Sequence, residues 1–98
     1  MKVVCLIDTS IFCNVLKVPF RCQAHGQVMS LLQDLLRSRC GLLLPMTTIL
    51  ETGNHIAQCG DGHERWNAAT RFVQQVRLAI EGKAPWQPMQ LADPSLLA

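Results

Sequence analysis

Residues Val3 to Ile7 (VVCLI) form an unbroken apolar run that stops abruptly at Asp8-Thr9-Ser10. A β-branched, apolar stretch with no polar alternation reads as a strand buried on both faces, and the run is expected to be the central strand of a parallel sheet. Parallel pairing requires a long crossover, in most cases helical, before the next strand. The rest of the chain reads that way. Thr9 and Ser10 offer N-cap hydroxyls to a short helix through Ile11, Phe12, Val15 and Leu16, stopped by Pro19. Val28, Leu31, Leu32, Leu35 and Leu36 make one apolar stripe of a second helix, with Arg37 and Arg39 in its last turn and Gly41 at its end. Leu42 to Leu44 form a second buried strand closed by Pro45. Thr47 or Thr48 is expected to cap a third helix reaching about Gln58. A fourth, from His63 or Glu64 to Glu81, repeats Trp66, Ala69, Val73, Val76 and Ile80 at helical spacing. Gly60-Asp61-Gly62 is the turn between them, and Gly82 to Pro88 reads as a loop.

The chain has 98 residues, enough for one small domain, and residues 1–98 are read as a single domain. Hydrophobic residues make up 49% and charged residues 16%, which excludes disorder as a description of the whole. A net charge of +2 argues neither for nor against a nucleic-acid partner. No apolar run reaches the ~20 residues needed to span a bilayer, and Asp8 interrupts the first one, so neither a membrane helix nor a signal peptide is expected. Five cysteines without close pairing read as reduced thiols and point to the cytoplasm. Two short strands cannot form a sheet that four helices cover, because buried strand edges leave backbone groups unpaired. The domain is therefore expected to be incomplete at its C-terminus, after the second strand and fourth helix. A complementing segment or a second copy would complete it.

In an open α/β sheet, ligands collect outside the carboxyl ends of the strands, which is where Asp8 falls. Its simplest role is to cap the helix that follows. On the third helix, Thr47, Asn54, His55 and Gln58 lie within about 60° of Glu51, while Ile49, Gly53 and Ile56 lie opposite. That polar face lacks Lys and Arg, and it starts at the same sheet edge as Asp8. Two converging carboxylates need a proton or a cation between them, and oxygen ligands suit Mg²⁺ or Mn²⁺.

Val3 to Phe12 (VVCLIDTSIF) resembles the opening strand and first acidic motif of PIN domains, the metal-dependent ribonucleases that include VapC-type toxins. Leu43 to Glu51 (LLPMTTILE) resembles that family's second acidic motif. The resemblance covers about the first sixty residues. It implies a three-layer α/β/α fold with a parallel sheet, Mg²⁺ or Mn²⁺ held by Asp8 and Glu51, and hydrolysis of RNA phosphodiesters. It also implies Thr9 or Ser10 steadying the Asp8 carboxylate, and an antitoxin-type protein partner. The family supplies further aspartates from a later strand-to-helix turn. Asp93, followed by Pro94, is the one late candidate here, and it reads more naturally as a helix cap. Asn54 and His55 are supporting candidates, His55 lying one turn after Glu51.

Two other readings stand beside this one. A non-catalytic module of the same ancestry would keep the crevice without a full ligand set. A small zinc domain would use Cys22-x-x-His25 and His55-x-x-x-Cys59-x-x-x-His63, whose spacing is irregular for a tetrahedral site. Lys17 and Arg21, flanking Pro19, are candidates for phosphate contact. Trp66 and Phe72 are expected in the core. Trp86, between two prolines, is expected to dock on the missing part of the domain or on a partner.

Overall fold

A computed structural model describes residues 3–89. The order is β1 (Val4–Leu6), α1 (Thr9–Val15), α2 (His25–Arg37), β2 (Gly41–Pro45), α3 (Met46–Ala57), α4 (Gly62–Ile80) and β3 (Trp86–Met89). The three strands form one parallel sheet in the order β1-β2-β3, so the fold is α/β.

The third strand corrects the expectation of a loop at residues 86–88, while 82–85 remain a loop, and of a sheet ending at its second strand. Pro88 is tolerated because β3 lies at an edge of the described sheet, where a missing N–H need not break a ladder. Trp86, expected to dock on the missing part of the domain or on a partner, is only 5% exposed and meets the Phe12 ring edge to face with centroids 5.9 Å apart. Among the described residues the order also moves β1 from the centre of the sheet to its edge, and Val4 and Leu6 are exposed.

The register explains which face is bare. Cys5 pairs with Leu42 and Leu42 with Trp86, and these side chains, with Ile7 and Leu44, turn toward the helices. Val4, Leu6, Leu43 and Gln87 occupy the alternate positions and are exposed or half-exposed. Crossovers of one hand that step twice in the same direction carry their helices to the same side. Among the described residues the molecule is thus two layers, four helices on one face of the sheet, where three layers were expected. The core joins both: Phe12, Leu16, Val18, Val28, Leu32, Ile56, Ala68 and Ala79 pack on Ile7, Leu42, Leu44 and Trp86.

Local chemistry sets the helix ends. Asp8, rather than Thr9 or Ser10, is the N-cap of α1, accepting from the Ile11 amide at 2.8 Å. Lys17 ends this helix before Pro19 is reached. It takes φ 54°, while the amides of Lys17 and Val18 bond back to Asn14 and Cys13 in a Schellman motif. Arg39 does the same after α2 at φ 57°, so it follows the helix instead of lying in it, and Gly41 opens β2. Asp61 caps α4 through the Glu64 amide, and Gly82 closes it. At α3 the N-cap is Pro45. Thr48 is buried and donates its hydroxyl to the Ile7 carbonyl at 2.7 Å, tying the helix to the end of β1 instead of capping it.

The inward side of α4 also differs from the expected stripe. Ala68 and Ala79 are its buried residues, with Phe72 half-buried against Phe12, whereas Trp66, Val73 and Ile80 are exposed. Trp66 reaches 71% exposure, so it is not a core residue. Small side chains facing inward let the helix approach closely, leaving no depth for an indole on that side.

Candidate functional site

The end of β1 and the start of α3 meet at the carboxyl edge of the sheet. β2 passes into α3 without a loop, and the Thr48 bond to Ile7 holds that helix beside the strand that leads to Asp8. One turn further along α3, the Glu51 carboxylate accepts a hydrogen bond from the Thr9 hydroxyl at 2.6 Å. Thr9 or Ser10 was expected to steady Asp8. Thr9 bonds Glu51 instead, and the Asp8 carboxylate accepts from the Ile11 amide with one oxygen.

A cavity of about 400 Å³ opens at this junction, lined by Thr9, Ser10, Cys13, Asn14, Phe20, Arg21, Gln23, Glu51 and His55. Its floor is structural. Asn14 is buried, donates to the Ser10 carbonyl and accepts from the Ala24 amide, both at 2.9 Å, so the loop between α1 and α2 is pinned against α1. The His25 ring bonds the Asn14 carbonyl at 2.6 Å. On the other side of that loop, the Arg71 guanidinium donates to the carbonyls of Leu16 and Lys17.

The pinned loop lifts one residue out. Phe20 is 91% exposed with φ 64°, and it borders both this cavity and a neighbouring one of about 450 Å³ that includes Lys17 and Arg71. Arg21 and His55 line the first cavity, and the buried His55 Nδ1 has no partner among the described residues. Burial raises the Cys13 thiol above its ordinary value, opposed by the Thr52 hydroxyl and by the Arg21 cation, while the Cys59 thiol adds to the rise.

Of the residues singled out in the sequence, Glu51, Thr9, Ser10 and His55 share this cavity, and Asp8 stands next to Thr9 with its carboxylate in the helix cap. Asn54 is exposed and is not among the residues lining the cavity. Asp93 lies outside the described residues. Among the described residues no three His, Cys, Asp or Glu side chains gather as a metal-binding group. The zinc pattern is dispersed: His25 is held by Asn14, Cys59 donates to the His55 carbonyl at 3.6 Å, and His63 meets Asn67. Phe20 and Gln23 were missed. Their signal is non-periodic, an aromatic between Pro19 and Arg21 in a loop, which no hydrophobic pattern selects.

Among the described residues no helix is long and apolar enough to cross a membrane. The chain matches no protein-family model, no curated protein and no solved structure.

Proposed function

We propose that the junction of α1 and α3 is the acidic site of a PIN-like ribonuclease, in which Asp8 and Glu51 hold Mg²⁺ or Mn²⁺ and RNA is hydrolysed. The observation that carries this reading is the Thr9–Glu51 hydrogen bond at 2.6 Å, which ties the second carboxylate to the residue beside the first. The donor set fits a hard cation. The second oxygen of Asp8 and the Glu51 carboxylate are oxygen donors of the kind that bind Mg²⁺ with several waters retained. Such an ion, when bound, offsets phosphate charge and lowers the pKa of a bound water. The chain's own part is positional. Thr9 orients Glu51, the Ile11 amide fixes Asp8, Arg21 offers a cation to a phosphate, and Phe20 offers a face on which an unpaired base can stack. Single-stranded RNA is therefore the favoured substrate. The family's three-layer fold, in which the bare sheet face is covered, belongs to the same reading, as do an antitoxin-type partner and a cytoplasmic location.

A second reading, a non-catalytic RNA-binding or protein-binding module, is favoured by one observation. Asp8 already serves as a helix cap, and no third carboxylate joins the pair among the described residues.

The test is cleavage of single-stranded RNA in Mg²⁺ or Mn²⁺, together with the melting temperature with and without Mn²⁺. Mn²⁺ is expected to stabilise the wild-type chain and not Asp8→Asn or Glu51→Gln, and cleavage is expected to fall by about two orders of magnitude in each variant. Equal stabilisation of all three proteins would exclude a shared cation. Binding of RNA without cleavage, unaffected by Mn²⁺, would select the non-catalytic module.

A further inference from the structure

Cys5 and Cys40 are brought together by the register of the sheet. Cys5 lies in β1 opposite Leu42 of β2, and Cys40 precedes that residue by two positions, which makes it the diagonal neighbour of Cys5 on the helix-covered face. The two sulphurs are 3.1 Å apart, with the Cys40 thiol directed at the Cys5 sulphur. Bonded sulphurs stand about 2.05 Å apart, so a gap of roughly 1 Å remains to be closed. Exposure differs between the two: Cys5 is half-buried and Cys40 is buried. One sulphur can thus meet a reagent from solvent while the other waits behind it. Among the described residues, Cys5 and Cys40 are the cysteines whose sulphurs contact each other, although Cys59 lies near enough to Cys13 to raise its thiol. Cys13 is buried with its thiol held toward the neutral form, and Cys59 donates to a backbone carbonyl.

We propose that Cys5 and Cys40 are a site of reversible disulfide formation, oxidised by a low-molecular-weight disulfide such as glutathione disulfide. Cys5 loses its proton and attacks one sulphur of glutathione disulfide. The S–S bond breaks, one glutathione leaves, and Cys5 carries a mixed disulfide. Cys40 then loses its proton and attacks the Cys5 sulphur, expelling the second glutathione. Two electrons pass from the protein dithiol to the reagent, and the two protons end on the two glutathione thiols. The product joins the edge strand β1 to the entry of β2 and closes the chain from residue 5 to residue 40, a loop containing α1 and α2. Closing that loop removes entropy from the unfolded chain, so the oxidised form is the more stable one.

The experiment incubates the reduced 98-residue chain in mixtures of glutathione and glutathione disulfide, in native buffer and in urea. Acid quenching is followed by thiol counting, peptide mass analysis and measurement of the melting temperature. In native buffer the thiol count is expected to fall from the five present to three, with the Cys5–Cys40 peptide pair as the dominant linkage. The melting temperature is expected to rise by about 5 °C or more, and both effects are expected to be lost in Cys5→Ser and in Cys40→Ser. In urea the preference for this pair is expected to disappear. Five thiols retained, mixed glutathione adducts alone, a different cysteine pair, or an equal Cys5–Cys40 yield in urea would each overturn the assignment. So would a Cys5–Cys40 bond that leaves the melting temperature unchanged or lowered. Because the thiol and peptide readouts use the wild-type chain, a serine variant that fails to fold does not spare the proposal.

Discussion

Lys17, Arg39 and Phe20 hold φ of 54°, 57° and 64°, a region that costs a residue with a Cβ about 1–2 kcal/mol. For Lys17 and Arg39 the cost is offset by the Schellman bonds that end α1 and α2. Phe20 ends no helix, and its ring is almost wholly in solvent beside Arg21. Glycine at either kind of position relieves the strain, but the consequences separate. Arg39→Gly is expected to raise stability by about 1 kcal/mol in urea unfolding and to leave RNA binding unchanged. Phe20→Gly is expected to raise stability similarly while weakening single-stranded RNA binding by about tenfold, the effect of losing one stacked base. Unchanged RNA affinity in Phe20→Gly would remove the stacking role. Cys13 supplies a pH prediction at the same scale. The folded chain keeps the thiol proton to a higher pH than the unfolded chain, whose cysteines ionise at about pH 8.5. Above that value the unfolded state binds fewer protons, so the stability linked to this residue is complete below it and is lost as pH rises toward the raised folded value. Urea unfolding at a series of alkaline pH values is expected to show a decline that is shallower in Cys13→Ala.

At the scale of elements, two tryptophans exchange their expected roles. Trp86 opens β3, faces Phe12 and sits under α4, so Trp86→Ala is expected to cost about 3–5 kcal/mol. Trp66 stands outside on α4, and Trp66→Ala is expected to change stability by no more than about 0.5 kcal/mol. Equilibrium unfolding of the two variants checks both values, and similar losses would contradict the packing described for α4. The helix's periodicity is real, yet it does not say which stripe is covered. Ala68 and Ala79 face inward because α3 and β3 lie close on that side, and the larger residues at 66, 73 and 80 are left in solvent.

At the scale of the whole molecule, the sequential strand order puts the four helices on one side of the sheet. Among the described residues, Val4 and Leu6 on the bare face, with Leu6 60% exposed, form an apolar surface beside the edge of β1 that no described strand pairs. Such a surface favours association at high concentration. The double variant Val4→Thr with Leu6→Lys is expected to sediment with less self-association than the wild-type chain while keeping its melting temperature within a few degrees. A large fall in melting temperature would mean that this face is covered within the monomer.

Much of the architecture was legible along the chain, because helical periodicity, caps and apolar runs are local properties. The run ending at Asp8, the helix α2, the run closed by Pro45 and the helix carrying Glu51 all fall where the pattern puts them, although Leu31 and Leu36 of the α2 stripe are exposed. That the segments carrying Asp8 and Glu51 start from the same edge of a parallel sheet was legible too, whereas the hydrogen bond of Thr9 to Glu51 was not. β3 was not legible, because Trp86-Gln87-Pro88-Met89 has a proline in it and becomes a strand only by pairing with β2. Nor was the edge position of β1, which depends on where the next strands add and not on its own composition. The partner of Thr9, the exposure of Phe20 and the contact of Cys5 with Cys40 likewise arise between segments 11 to 42 residues apart or from a loop pinned at both ends. Local sequence determines which residues favour a helix or a strand, whereas burial and contact depend on neighbours that only the assembled chain supplies.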